Sequence, residues 1–190
     1  MDAIRLDAST AKALAHPLRM RIVGSLRLDG PATASGLAER LGVSSGLTSY
    51  HVRRLADAGF VEPDDAHPAS GRERWWRAAH EMTSWRSSDI GDDPDARATD
   101  AWLVGHTIHR GMEQLDDWLQ RRPDADPAWR DAAESSDYVV EQTPDELRAM
   151  AAEIDDVIQR RRAASMDSAS PGRRQVVVLL STFPRSPDLR

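Results

Sequence analysis

The chain has 190 residues, a formal net charge of −6, and ordinary apolar and charged shares of 40% and 29%. This length and composition favour folded domains with real cores over a disordered chain. The absence of cysteine excludes disulfides, thiolate metal sites and cysteine nucleophiles. No apolar run reaches the roughly 18 residues that span a bilayer, and the first ten residues lack the pattern of a signal peptide. We therefore expect a cytoplasmic protein without a membrane partner.

The negative charge is concentrated in the second part of the chain. Residues 1–80 carry eleven Lys and Arg against nine Asp and Glu, a balance of +2, whereas residues 81–190 carry fourteen against twenty-two, a balance of −8. Screening limits the reach of surface charges to about 8–10 Å at ordinary salt, so the local balance decides the attraction to phosphate. The acidic part is therefore compatible with nucleic-acid binding by the first part.

Capping residues and apolar spacing predict three helices within the first sixty residues. Pro17 opens a helix with one apolar stripe. Thr33 is a suitable N-cap for a helix over residues 34–41, and Ser44 for one over residues 45–58. The last two helices are separated by a three-residue turn, which is the spacing of a helix-turn-helix motif.

The helix over residues 45–58 has two distinct faces when its residues are placed at 100° per step. The face predicted to point inward spans about 140° and holds Leu47, Thr48, His51, Val52, Leu55 and Ala58. Small residues on the outer face let the backbone approach base edges in the major groove, and arginines reach guanine edges or phosphates. The predicted DNA-binding residues of this segment are Ser44, Ser45, Gly46, Ser49, Tyr50, Arg53 and Arg54.

A β-hairpin wing is predicted directly after this helix. Residues 60–62 and 74–77 have strand character and flank a loop that contains Pro68 and Gly71. Arg72 and Arg74 lie at the hairpin tip and on its return strand, where a wing beside a docked helix contacts the DNA backbone or the minor groove. We therefore add these two arginines to the predicted DNA-binding residues.

A second lobe is predicted to begin near Gly91, which gives a DNA-binding domain over residues 1–90 and a dimerisation or effector lobe over residues 91–190. A helix from Asp95 to Arg121 would be about 40 Å long, and we expect its apolar arc to pack against its copy in a homodimer. Thr143 opens a capping box, and residues 138–140 and 176–180 are strand candidates. The predicted fold class is mainly α with small β (α+β): a winged helix-turn-helix domain plus a helical, partly stranded C-terminal lobe.

The segments LAHPLRMRIV, GLAERLGVSSGLTSYHVRRLADAGFVE and GRERWWR, within residues 13–78, resemble the ArsR family of bacterial winged-helix repressors. The resemblance implies a homodimer that binds an inverted-repeat operator near a promoter and represses it. The family's reading helix corresponds to residues 44–55, and its DNA-facing positions correspond to Ser45, Gly46, Ser49 and Tyr50 in the helix and to Arg72 and Arg74 in the wing. The resemblance transfers no ligand to the second lobe, so a small-molecule effector stays open.

A metal site on the long helix is a weaker alternative. His106, His109 and Glu113 have helical spacing. Some ArsR relatives bind zinc through an Asp-x-His pair upstream of such residues, but here the corresponding residues are Asp93 and Asp95. A carboxylate thus replaces the upstream imidazole, and both aspartates also suit a helix start. We expect no metal and no cofactor, and keep a metal-responsive regulator as an alternative function.

Catalysis is not expected. The sequence has no Gly-x-Ser-x-Gly elbow, phosphate-cradling glycine loop or His-Glu-x-x-His motif, so we predict that the protein is not an enzyme. The main prediction is a dimeric, sequence-specific transcriptional regulator, most simply a repressor, whose partner is double-stranded DNA. A winged-helix protein-interaction module that recognises no DNA sequence is the alternative from another class.

Overall fold

The computed structural model describes residues 3–67, 73–166 and 172–186. The chain divides into two compact units, Met1–Thr107 and Ile108–Arg190. This division falls later than the predicted boundary at residue 90, because Ile90, Ala96 and Leu103 are buried in the core of the first unit.

In its described residues, the first unit contains five short strands and a series of helices. The strands are β1 (Ala3–Arg5), β2 (Ala32–Thr33), β3 (Val61–Pro63), β4 (Trp75–Ala78) and β5 (Met82–Ser84). The helices are α1 (Ala8–Leu14), α2 (Pro17–Leu28), α3 (Ala34–Leu41), α4 (Ser45–Asp57), α5 (Ser87–Ile90) and the first part of α6 (Pro94–Arg121). The three helices predicted before residue 60 are confirmed, with α4 ending one residue earlier than expected.

Local capping explains where these helices begin. The side chain of His16 accepts a hydrogen bond from the Leu18 N–H at 3.1 Å, with Pro17 in the first turn of α2. Thr33 caps α3 by accepting from the Gly36 N–H at 3.1 Å. Such contacts satisfy donors that the helix leaves without internal partners, so the sequence locates these starts well.

The strands form two small sheets. β3 and β4 are antiparallel, with Glu62 opposite Arg77, and form the predicted wing hairpin. β2 joins the other edge of β4. β1 and β5 form a separate parallel pair that the sequence did not predict. The guanidinium of Arg5, on β1, donates two hydrogen bonds to the carboxylate of Asp89, at 2.9 and 2.8 Å. Parallel partners far apart in the chain leave no local turn signal, which explains the omission.

One apolar core holds the first unit together. Leu6, Ile22, Leu37, Leu55 and Phe60 are almost completely inaccessible to water. They come from the segment after β1, from α2, α3 and α4, and from the residue before β3, so each element of the helix-turn-helix is anchored in the same cluster. Burial of large apolar side chains is the main favourable term in folding, and it fixes the position of α4.

The second unit is helical in its described part. It contains the end of α6, a short 3-10 turn at Arg122–Asp124, α7 (Pro127–Ala132) and α8 (Pro144–Met166). The capping box before α8 is confirmed, since Thr143 and Glu146 exchange hydrogen bonds. Within residues 108–166 and 172–186 no strand is found, so the predicted strands at 138–140 and 176–180 are wrong. Their apolar side chains are largely exposed, with no neighbouring strand to complete a ladder.

A few contacts organise the second unit. Leu179 lies directly against Gly111, where a β-carbon would stand only 2.6 Å from the Leu179 Cδ1. The guanidinium of Arg174 lies 5.4 Å from the centre of the Trp129 ring, a distance at which a cation is attracted to an indole face. In the part of the chain that the structure describes, no helix is both long and apolar enough to cross a bilayer.

Candidate nucleic-acid interface

The turn between α3 and α4 is short because both helix ends are closed by local hydrogen bonds. Gly42 has φ +67° and closes α3 by donating its N–H to Ala38 O and Glu39 O. This left-handed conformation favours glycine. Ser44 Oγ accepts from the Leu47 N–H at 3.3 Å, and the Thr48 hydroxyl donates to Ser44 O at 3.0 Å. The start of α4 is thus fixed relative to α3.

The two predicted faces of α4 are observed, with one exception. Thr48, His51, Val52 and Leu55 are buried. The predicted DNA-binding residues Ser44, Ser45, Gly46, Tyr50, Arg53 and Arg54 are exposed, and Ser49 is half-buried. Leu47 was predicted to point inward but is 45% exposed. Leu47 lies in the first turn of α4. Placing residues at 100° per step gives their direction around the helix but not whether another helix covers them, so it does not distinguish core from surface at this position.

A groove lies between α3, α4 and β4. Its volume is about 480 Å³, and the side chains of Val52 and Trp76 are the large apolar groups that line it. The polar residues that line it are Ser35, Ser49, Arg53, Glu73 and Arg74. The groove therefore brings together two cations, two hydroxyls and one carboxylate beside the exposed face of α4.

Two contacts position the groove residues on its wing side. The guanidinium of Arg74 lies 5.7 Å from the centre of the Trp76 ring, which holds the cation near the indole face. Ser35 donates its hydroxyl to Glu73 Oε1 at 2.5 Å. Sequence reasoning missed both Ser35 and Glu73, although Glu73 stands between two arginines of the wing and so breaks an otherwise basic run.

The structure unites some of the predicted site residues and separates others. Ser49, Arg53 and Arg74 share the groove. Ser44, Ser45, Gly46, Tyr50 and Arg54 belong to the exposed surface of α4 and its cap. Arg72 lies outside the described residues. Of the two predicted wing arginines, Arg74 is therefore the one that the structure places beside α4.

Arg19, a basic residue of α2 near α4, was not among the predicted site residues. The pKa of Arg19, on α2, is lowered first by burial and then by the nearby positive charge of Arg54. Arg19 also donates to the backbone oxygens of Lys12 and Ala15, at 3.4 and 3.5 Å. Arg19 is therefore partly buried near Arg54 and bound to the backbone at the end of α1.

Two histidine rings, tilted by 40° to each other, are in contact on the buried side of α4. The rings of His16 and His51 lie 4.3 Å apart. The pKa of His51 is lowered by burial, and further by His16 and Arg19. Burial also lowers the pKa of His16, with a smaller contribution from Arg19. The neutral form suits the site because His16 Nδ1 accepts a backbone hydrogen bond, which a protonated ring nitrogen cannot do.

The base of the wing is fixed by a carboxylate and an imidazole. Asp64 lies 2.5 Å from His67 Nδ1, and this hydrogen bond is the main reason that the pKa of Asp64 is lowered. The ring of His67 stacks on Trp75 at 4.6 Å, and the Asp64 N–H donates to Trp75 O at 3.0 Å. The two strands of the wing are therefore tied together where the hairpin loop begins.

The candidate metal residues have other contacts. Asp93 Oδ1 accepts from the N–H groups of Asp95 and Ala96, each at 3.0 Å, and so caps α6. The His106 ring stacks on Trp102 at 4.8 Å. His109 Nε2 lies 3.3 Å from Glu113. In residues 3–67, 73–166 and 172–186, no three His, Cys, Asp or Glu side chains form a group that could hold a metal ion.

Comparison with known proteins gives a match at the same place. Residues 14–64 match the family described as "Helix-turn-helix domain". The chain is also 41% identical over 59 residues to the HTH-type transcriptional regulator NmtR of Mycobacterium tuberculosis, an alignment that covers 31% of this chain and 48% of NmtR. The chain therefore spans about half the length of that regulator.

Solved structures give more distant likenesses. One is the crystal structure of an ArsR family transcriptional regulator, 24% identical, with a TM-score of 0.31 and coverage of 60% of this chain and 90% of that one. Another is a homodimeric winged helix-turn-helix DNA-binding domain from Mycobacterium bovis, described as a possible ArsR-family transcriptional regulator. It is 24% identical, with a TM-score of 0.35 and coverage of 54% and 79%.

Proposed function

We propose that this chain is an ArsR-family helix-turn-helix protein and a DNA-binding transcriptional regulator. The observation that carries the proposal is the surface formed by α4 and the wing. Hydroxyls and arginines line one exposed helix face, and Arg74 joins Arg53 in the adjoining groove. A helix presented beside a basic hairpin suits the major groove and its flanking backbone.

The residues of this surface suit two kinds of contact. Ser45, Gly46, Ser49 and Tyr50 come early in α4, where small and hydroxyl-bearing side chains allow close approach to base edges. Arg53, Arg54 and Arg74 supply positive charge along the helix and the wing, which suits phosphate oxygens. We propose base reading for the first group and backbone binding for the second, with Arg72 as a further backbone contact.

A homodimer completes the proposal. Ile108, Met112, Leu115 and Leu119 repeat at intervals of four, three and four along α6, and all four are exposed. Such spacing places apolar side chains on one helix stripe, which a second copy of α6 would cover. Two copies of α4 would then enter successive major grooves about 34–36 Å apart and read an inverted repeat. Repression follows where that repeat overlaps the contacts of RNA polymerase.

The two domains predicted from the sequence have different proposed roles. DNA reading belongs to residues 1–90, and dimerisation with any effector response belongs to residues 91–190. The local balance of charge supports this assignment, because the negative excess lies after residue 80. An acidic lobe adds no phosphate attraction of its own.

Footprinting and binding titrations test the proposal. The wild-type chain should protect an inverted repeat in the DNA upstream of its own gene. Arg53→Ala should weaken binding about tenfold and flatten the dependence of log K on log salt by about 0.9 for each phosphate that is no longer neutralised. Arg160→Ala is the matched control, since it removes the same charge from an exposed position on α8.

The outcomes separate the proposed function from its alternative. Equal affinity for the Arg53→Ala and control variants would remove Arg53 from the interface. A folded wild-type chain that protects no repeat and shows no salt-dependent affinity for any duplex would contradict DNA regulation. That result would favour the protein-interaction module.

A further inference from the structure

The groove between α3, α4 and β4 holds a carboxylate among its cations. Glu73 lies in this groove with Arg53 and Arg74, and it accepts the Ser35 hydroxyl at 2.5 Å. Serine hydroxyls at protein–DNA interfaces commonly donate to phosphate oxygens. The carboxylate of Glu73 thus occupies a donor that a backbone phosphate could use.

The chemistry of the groove fits an anionic phosphodiester. Ser35 and Ser49 provide hydroxyl donors, and Arg53 and Arg74 provide guanidinium groups, in a cavity of about 480 Å³. An ionised carboxylate and a phosphodiester are both anions that only accept hydrogen bonds. They therefore compete for the same donors and repel each other when both are close.

We propose that this groove binds one phosphate of the DNA backbone and that Glu73 competes with that phosphate for the Ser35 hydroxyl. The inference rests on the proposed DNA-binding function and adds a residue that limits affinity. When DNA binds, the carboxylate leaves Ser35 and the phosphate takes its place. Because the contact is to the backbone, the effect of Glu73 is the same for every base sequence.

Replacement of the carboxylate by its neutral amide tests the proposal in the full-length chain. Glu73→Gln should bind both the footprinted operator and a random duplex about three- to tenfold more tightly, because a repulsive charge close to phosphate is removed. The slope of log K against log salt should become steeper by up to about 0.9 per protomer. Fluorescence anisotropy between 50 and 200 mM salt measures both quantities.

Glu39→Gln is the matched control. Glu39 is exposed on α3 and does not line the groove, so its replacement makes the same change in net charge on a neighbouring surface. Its affinity for both duplexes should change less than about twofold. An equal gain in the two variants would assign the effect to net charge and overturn the proposal.

A double-variant comparison tests the competition itself. Ser35→Ala should weaken binding about fivefold in a Glu73→Ala background, which has no side-chain acceptor for the hydroxyl, and should weaken it less in the wild-type background, where the carboxylate already engages the hydroxyl. Equal losses in the two backgrounds would overturn the competition. Circular dichroism of all variants confirms that they are folded.

Two further outcomes are distinct from each other. If Glu73→Gln loses affinity for the operator but not for the random duplex, Glu73 reads a base and the proposal is wrong. If wild type and Glu73→Gln bind equally, the proposal is also wrong while DNA binding stands. Absence of binding by the folded wild-type chain, in contrast, overturns the proposed function itself.

Discussion

The two compact units differ in how much of their apolar side chains is exposed to water. In the first unit, Phe60 and Ile22 are completely buried. In the second, Tyr138 and Val139 are 82% and 84% exposed, and the apolar run at 176–180 is also open to water. Hydrophobic stabilisation depends on area removed from water, so a single copy of the chain supplies far more of it to the first unit.

The first unit therefore closes its own core, whereas the second leaves many of its large apolar side chains exposed. Exposed apolar groups that are concentrated in one region commonly mark an interaction site. When a second copy supplies the cover, the stability of the covered region depends on protein concentration. This difference in apolar burial can be tested by substitutions that change one unit and leave the other unchanged.

The largest effect is expected from a matched pair of phenylalanine truncations. Phe60→Ala removes a fully buried ring and should lower the free energy of unfolding of the first unit by about 3–5 kcal/mol. Phe183→Ala removes a ring that is 76% exposed and should change stability by less than about 0.5 kcal/mol. Urea unfolding followed by circular dichroism measures both, and equal losses would contradict the contrast between the units.

The next largest effect is expected at the apolar stripe of α6. Leu115→Asp places a charge within the proposed dimer surface and should raise the dimer dissociation constant about 100-fold, or about 3 kcal/mol. Gln114→Asp adds the same charge to the neighbouring exposed position and serves as the control. Light scattering over a range of protein concentrations gives the mass, and two variants with the same mass profile would remove this stripe from the interface.

The smallest effect is expected from acidification, because it arises from only two side chains. The pKa values of His16 and His51 are lowered in the folded state, so folding favours their neutral forms. Their contribution is present above the unfolded pKa of about 6.5 and is lost as pH falls through the folded values. Urea midpoints should thus decrease below about pH 6.5.

A substitution at each of two histidines isolates this effect. His51→Leu removes a titrating group that is 4% exposed and should flatten the acid dependence of the midpoint, whatever it does to stability at neutral pH. His109→Gln alters a largely exposed ring and should leave the slope unchanged. The same slope in wild type and in His51→Leu would contradict a role for the buried pair.

Features set by short-range chemistry could be predicted from the sequence. Thr33 and Ser44 cap α3 and α4 as expected, since a cap involves residues only two or three positions apart. Periodicity likewise located the buried face of α4. It failed at Leu47 because exposure in the first turn depends on how far the neighbouring helices extend.

Features set by distant partners could not be predicted in the same way. The run at 176–180 has strand composition, but in the described chain it has no strand to pair with. β1 and β5 are separated by most of the first unit, and no local pattern encodes that pairing. The contact between Glu73 and Ser35 was missed because the two residues come from different elements.

The short strand β2 has a mechanical consequence. Thr33 pairs with Trp75 of the wing and also caps α3, so the wing and the helix-turn-helix share a residue. A displacement of β4 would therefore also act on the start of α3, and so on the groove that lies between α3, α4 and β4.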